Sequence, residues 1–109
     1  MKKAEKGEIP VEKAIDLFLK HFNVKLDPDE ILKTMISFKK CNNETVDILK
    51  KLKGKYKLTY LTNSSVKLMG LSEEMLPLLH HFDYGIISAT IKARKPDPKG
   101  FTLILSHFN

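Results

Sequence analysis

Apolar residues recur at helical spacing in the first part of the chain. Val11, Ala14, Ile15, Phe18 and Phe22 fall at positions i, i+3, i+4, i+7 and i+11, with charged residues between them. Because 3.6 residues make one helical turn, this spacing places the apolar side chains on one face. The pattern therefore predicts an amphipathic helix over residues 11–22.

Two further helices are predicted from their start and stop signals. Asp27-Pro28 supplies an N-cap and a proline at the first helical position, which predicts a second helix that ends near Lys39. Asn43 is a candidate N-cap of a third helix, and Gly54 would close that helix at C′. The first half of the chain is therefore predicted to be helical only.

The pattern changes after residue 54. Residues 56–61 are rich in β-branched, aromatic and aliphatic residues and run into the polar stretch 62–65, which predicts a strand followed by a loop. A helix is predicted over Ser72–Phe82, with Pro77 leaving its start open, and a second strand over residues 84–88. Asp97 and Pro98 predict the N-cap and first residue of a last helix. This alternation indicates a parallel sheet covered by helices.

Composition narrows the class of protein. The chain has 109 residues, of which 42% are hydrophobic and 29% charged, as in one small globular domain. The single cysteine excludes an intramolecular disulfide framework, which favours a reducing compartment. No signal-peptide segment follows Met1, and no apolar run approaches the length of a membrane span. We therefore expect a cytoplasmic protein with no membrane contact.

The net charge of +6 leaves two interpretations open. Of the 19 basic residues only Arg94 is an arginine, whereas direct base reading usually employs arginine. The lysines could form a nucleic-acid-binding face, but a solvated surface is the favoured interpretation. Nucleic acid is therefore not the expected partner.

Candidate binding residues lie where ligands of parallel sheets usually bind, beyond the carboxyl ends of the strands. Thr62 and Asn63 follow the first predicted strand and could donate hydrogen bonds to an anion, although such residues also form ordinary turns. Lys95 precedes the helix capped by Asp97 and would suit a phosphate, although it could be one more solvated lysine. Spacing alone leaves both alternatives open.

The remaining candidates have simpler structural interpretations. His80-His81 is predicted at a helix end, because neighbouring helical residues point about 100° apart and cannot share a metal. Cys41 has no evident activating partner and is interpreted as a buried or half-buried apolar residue. Asp83 and Asp97 are interpreted as turn and cap residues rather than as an acid/base pair.

Three segments together carry a family resemblance. They are Lys57-Leu58-Thr59-Tyr60-Leu61-Thr62-Asn63, Phe82-Asp83-Tyr84-Gly85-Ile86-Ile87-Ser88 and Lys95-Pro96-Asp97-Pro98-Lys99-Gly100-Phe101. In residues, order and spacing they resemble the haloacid dehalogenase-like (HAD) hydrolase superfamily. The resemblance implies an α/β fold with a partial Rossmann-like parallel sheet core at residues 44–109 and an N-terminal helical cap portion at residues 1–43.

The resemblance also implies a chemistry. It implies a Mg²⁺-dependent phosphatase that transfers the phosphoryl group of a small phosphorylated substrate to water through an aspartyl intermediate. Thr62 would correspond to the second-motif hydroxyl that binds this phosphoryl group, with Asn63 beside it, and Lys95 to the third-motif lysine. Thr62 and Lys95 would serve a dehalogenase equally well.

Two family motifs have no counterpart in the chain. The family begins with a strand that ends in Asp-x-Asp and later supplies an acidic motif for Mg²⁺. Asp27-Pro28-Asp29 has the right residues but is predicted at a helix N-cap, so it is rejected as the nucleophile. We therefore expect a fragment that is inactive alone. Its sheet would lack the central strand and would favour self-association.

Two alternatives from other classes remain. One is a non-catalytic basic binding module that contacts nucleic acid or an acidic partner through its lysines. The other is an interaction fragment that completes its sheet with another polypeptide.

Overall fold

The computed structural model describes residues 1–70 and 78–109. The helices are α1 (Lys2–Glu5), α2 (Val11–His21), α3 (Pro28–Ser37), α4 (Asn43–Leu52), α5 (Val66–Gly70), α6 (Ser88–Ile91) and α7 (Lys99–Phe108), and the strands are β1 (Thr59–Thr62) and β2 (Tyr84–Ile87). Most of the predicted helix Ser72–Phe82, including Pro77, lies outside the described residues. The helical first half and the α/β second half confirm the predicted order of helices and strands. The short helices α1, α5 and α6 were not predicted.

The helix caps agree with the predictions to within one residue. Asp27 is the N-cap of α3, where its Oδ1 accepts a hydrogen bond from the Asp29 N–H at 3.1 Å. The N-cap of α4 is Asn42, so the prediction of Asn43 was wrong by one residue. The carboxamide of Asn42 accepts from two N–H groups of the first turn, at 3.0 and 3.2 Å. Either asparagine could have capped the helix, and the hydrogen bonds select the earlier one.

Helix α7 also begins one residue later than predicted. Pro98 is its N-cap, and Asp97 instead accepts a hydrogen bond at Oδ1 from the Lys99 N–H at 2.8 Å. The Asp97 N–H donates to the Arg94 carbonyl oxygen at 2.9 Å. Asp97 therefore belongs to the turn that leads into the helix.

The two strands pair in parallel, with Thr59 opposite Tyr84 and Thr62 opposite Ile87. The strand predicted from residue 56 begins only at Thr59. The Leu58 N–H donates instead to Oδ2 of Asp83 at 2.8 Å, and the Asp83 N–H donates to the Leu58 carbonyl oxygen at 2.7 Å. Asp83 thus ends the strand pairing, in agreement with its interpretation as a turn residue. Within the described ranges β1 pairs with β2 alone.

Helix α7 lies close to one face of β1. A Cβ atom at Gly100 would stand 2.7 Å from Leu61 Cδ1, so a larger residue there would require the Leu61 side chain to shift. On the opposite face Tyr60 lies over Gly85 and contacts the ring of Phe82, with 5.2 Å between ring centroids.

The main apolar cluster lies in the helical first half. Its buried members are Ala4, Val11, Ala14, Ile15, Leu19, Leu32 and Leu68. Of these, only Leu68 comes from the second half of the chain. Helix α5 therefore packs against the helical layer, the name used here for α1, α2 and α3. Helix α4 has no buried residue.

Candidate functional site

Thr62, Asn63 and Lys95 meet at the carboxyl end of β1. The side chain of Asn63 holds both polar groups of the Lys95 main chain: Oδ1 accepts from the Lys95 N–H at 2.7 Å, and Nδ2 donates to the Lys95 carbonyl oxygen at 3.3 Å. These two hydrogen bonds join segments 32 residues apart. They place the loop between α6 and α7 beside the last residue of β1.

The three residues therefore have different roles in this geometry. The carboxamide of Asn63 is engaged with the main chain at both ends, so Asn63 positions the Lys95 loop. The Lys95 side chain is exposed and Thr62 is half-buried. Among residues 1–70 and 78–109, neither the Lys95 ammonium nor the Thr62 hydroxyl has a hydrogen-bond partner within the chain. Both groups are available to a ligand.

Ser88 contacts the loop that follows β1 at this edge of the sheet. It is fully buried, and its Oγ accepts a hydrogen bond from the Ser64 N–H at 3.0 Å. The same oxygen lies 3.1 Å from the Ser64 carbonyl oxygen and contacts the carbonyl oxygen of Glu5. One hydroxyl therefore links α1, the loop after β1 and the end of β2.

A second connection between α1 and the Lys95 loop is an ion pair. Arg94 Nε lies 2.7 Å from Glu5 Oε2, and each side chain is only about a quarter exposed. Lys92 adds a third connection, since its Nζ donates to the Gly7 carbonyl oxygen at 2.8 Å. Sequence reasoning missed all these contacts because partners more than 80 residues apart share no local signal.

Two cavities flank Lys95. We name the first the basic cavity. It has a volume of about 320 Å³ and its charged lining residues are Lys2, Lys6, Lys92, Arg94, Lys95 and Asp97. We name the second the apolar groove. It has a volume of about 440 Å³ and is lined by Thr59, Leu61, Lys95, Phe101, Ile104 and Leu105. Lys95 forms the shared wall.

The helical layer is attached to α5 by polar contacts as well. Glu12 and Lys67 form an ion pair that lowers the pKa of the Glu12 carboxyl and raises the pKa of the Lys67 ammonium. Lys39 Nζ donates to the Leu68 carbonyl oxygen at 2.8 Å, and burial lowers the pKa of its ammonium. These contacts span the boundary between the first and second halves of the chain.

The other candidate residues of the sequence analysis have structural roles or positions. Asp27 caps α3, which agrees with its rejection as a nucleophile. Cys41 is half-buried, as predicted, and His80 and His81 lie in a turn. In the described part of the chain, no group of three or more His, Cys, Asp or Glu side chains could hold a metal ion. Nor is any helix there long and apolar enough to cross a membrane.

The layered helices and the small parallel sheet match solved structures of HAD enzymes. Two structures of the HAD family enzyme BT-2542 from Bacteroides thetaiotaomicron are similar to this chain, both with a TM-score of 0.75 and with 20% and 21% sequence identity. One is a variant with an aspartate replaced by alanine, in complex with magnesium and inorganic phosphate. The chain therefore has a HAD-like α/β fold, which confirms the predicted fold class.

The match covers 96% of this chain but only 57% and 55% of the two solved chains. The chain thus spans a little over half the length of the structures it resembles. No protein-family model matches it, and no curated protein matches it.

Proposed function

We propose that this chain is the phosphate-binding part of a HAD-like hydrolase that acts on a small phosphorylated substrate. The observation that carries the proposal is the pair of hydrogen bonds between Asn63 and the Lys95 main chain. They hold the Lys95 main chain beside Thr62 at one edge of the sheet, where the Lys95 ammonium and the Thr62 hydroxyl have no hydrogen-bond partner among the described residues. The fold likeness to an enzyme solved with inorganic phosphate supports it.

The chemistry of the two groups suits phosphoryl transfer. As the phosphoryl group moves to water, negative charge spreads over its equatorial oxygens. A positioned ammonium and hydroxyl stabilise this charge most where they need no rearrangement during the reaction. Lys95 and Thr62 would bind the oxygens, and Asn63 would hold Lys95 in place.

The described residues do not fit a complete Mg²⁺ site, because they contain no cluster of three or more ligating side chains. The sequence also has no Asp-x-Asp after an apolar strand. We propose that the hydrolase uses Mg²⁺, as the magnesium in the similar structure suggests. Its main ligands and the nucleophilic aspartate would come from polypeptide outside these 109 residues.

We also propose that residues 1–43 belong to a cap and residues 44–109 to a core, in a cytoplasmic enzyme. Packing of α2 on α3 supports a separate helical layer, since this pair makes one of the most extensive contacts between elements. The attachment of that layer to α5 through Leu68 fits a cap joined to a core.

The proposal predicts that the chain binds inorganic phosphate but does not turn over phosphate esters. Calorimetric titration with phosphate should show binding that Lys95→Ala weakens about tenfold, because a charge-assisted contact is lost. Lys57→Ala is the matched control, since Lys57 is an exposed lysine near the opposite end of β1. Equal effects of the two variants would exclude a site at Lys95.

Turnover is measured separately with a generic phosphate ester and Mg²⁺. Robust hydrolysis that Lys95→Ala abolishes would show that these 109 residues carry their own nucleophile, which would overturn the proposed division of the site.

A further inference from the structure

The basic cavity gathers positive charge from three parts of the chain. Lys2 and Lys6 come from the α1 region, Lys92 follows α6, and Lys95 lies in the next loop. None of them was singled out by sequence reasoning except Lys95. Their convergence is a property of the fold.

Little of this charge is compensated inside the chain. Arg94 is paired with Glu5, and Asp97 is the one acidic residue among the described lining residues. Lys92 donates to a neutral carbonyl group, which leaves its charge in place. In the described part of the chain, no carboxylate lies within ion-pair distance of Lys2 or Lys6. The described lining of the basic cavity thus contains four lysine ammonium groups and a single carboxylate.

Repulsion between these lysines destabilises the protein when no anion is bound in the basic cavity. Lys2 and Lys6 are four residues apart on one turn of helix, a spacing at which like charges repel. A concave site lined by one sign of charge concentrates ions of the opposite sign. An anion bound there would relieve the repulsion.

We infer that the basic cavity binds a second anionic group of the substrate. The preferred substrate class would carry the phosphoryl group that Thr62 and Lys95 bind and, close to it, another phosphate or a carboxylate. This inference rests on the proposed function and deepens it.

The size and composition of the cavity favour a small ligand. Its volume of about 320 Å³ lies at the lower end of the range for small-molecule sites. Lysines suit a flexible point-charge contact with an oxyanion. The described lining residues include no aromatic side chain on which a nucleic-acid base could stack.

The inference is tested by titrating the full 109-residue chain with inorganic phosphate and with pyrophosphate at low salt. Pyrophosphate should bind about tenfold more tightly than phosphate, because additional exposed cations each contribute modestly. The double variant Lys2→Gln/Lys6→Gln should remove this preference and weaken phosphate binding far less than Lys95→Ala does. Lys3→Gln is the matched control, because Lys3 is an exposed lysine of α1 that does not line the cavity.

A thermal unfolding series makes a second readout. Pyrophosphate should raise the melting temperature of the unmodified chain and the Lys3→Gln variant more than phosphate does, and this difference should vanish in the double variant. Circular dichroism of each variant checks that it is folded.

The outcomes separate this inference from the proposed function. Equal affinity for the two anions, with phosphate binding that depends on Lys95, would overturn the second-anion site and leave the proposed function standing. Pyrophosphate binding that depends on Lys2 and Lys6 but not on Lys95 would support the basic cavity and contradict the proposed phosphate site. A single-stranded oligonucleotide that binds more tightly than pyrophosphate would overturn the small-substrate class.

Discussion

At the scale of single residues, Ser88 has an effect out of proportion to its size. A buried hydroxyl that contacts Ser64 on both its N–H and carbonyl groups holds the loop immediately after Asn63. The contact with Glu5 extends the same network to α1. The position of the candidate phosphate site thus depends on a residue that would not touch the ligand.

Replacing Ser88 by alanine should lower the free energy of unfolding by about 1–3 kcal/mol, because the buried Ser64 N–H loses its acceptor. Urea denaturation measures the change. Ser106→Ala is the control, since Ser106 is exposed on α7. Similar midpoints for the two variants would contradict the supporting role of Ser88.

Two glycines with positive φ allow a comparison that tests the contact between the segment after α1 and α6. Gly7 has φ +69° and Gly54 has φ +88°, so alanine costs about 1–2 kcal/mol of backbone strain at either position. At Gly7 a Cβ would also stand 2.4 Å from the Ala89 carbonyl oxygen, whereas at Gly54 it would meet nothing. Gly7→Ala should therefore destabilise the chain clearly more than Gly54→Ala in the same denaturation assay. Equal losses of stability in the two variants would contradict the close contact between Gly7 and α6.

At the scale of elements, the contact between α2 and α5 depends on pH. The ion pair with Lys67 lowers the pKa of Glu12 below its usual 4.5, so this stabilisation is present above that value and is lost as the pH falls through the lowered pKa. The raised pKa of Lys67 means that its contribution is complete below 10.5 and is lost only at higher pH. Between these limits both groups of the pair are charged.

Glu12→Gln should therefore loosen α5 near neutral pH and have no effect in strong acid, where Glu12 of the unmodified chain is also neutral. Hydrogen exchange of the Leu68 amide, followed across the acid range, measures this. Asp16→Asn is the control, because Asp16 pairs with Lys20 on the same helix. A difference between Glu12→Gln and the unmodified chain that persists unchanged below the lowered pKa would contradict the assignment.

At the scale of the whole molecule, the chain is elongated and exposes apolar surface. Its radius of gyration is 15.8 Å, whereas a compact domain of this length has about 13 Å. Large apolar side chains such as Phe18, Phe38, Phe101 and Leu105 are each more than half exposed. Two of them line the apolar groove beside β1, whose pairing in the described ranges is with β2 only.

An exposed strand edge beside an apolar groove favours association. We expect the isolated chain to self-associate, with an average mass in analytical ultracentrifugation that rises with concentration. Leu105→Lys should shift this equilibrium toward the monomer, because a charge would be buried at the contact. Phe38→Lys serves as the control, because Phe38 is exposed and does not line the apolar groove. Monomeric sedimentation with a sharp, concentration-independent unfolding transition would contradict this expectation.

The sequence by itself determined the local structure. Apolar periodicity fixed the long helices, and Asp27 and Gly54 marked helix ends because caps act within a few residues. The alternation of helix and strand after residue 54 determined a parallel sheet, and the motif residues around Thr62 and Lys95 pointed to its carboxyl edge.

Only the tertiary structure decided which polar side chains lie close together and which of them are already hydrogen-bonded. That Asn63 contacts phosphate stays a prediction, and the structure adds that its carboxamide hydrogen-bonds the Lys95 main chain. Lys2 and Lys6 join Lys95 in one cavity through contacts that span more than 80 residues. Such contacts depend on packing between distant segments, and no local pattern of side chains encodes them.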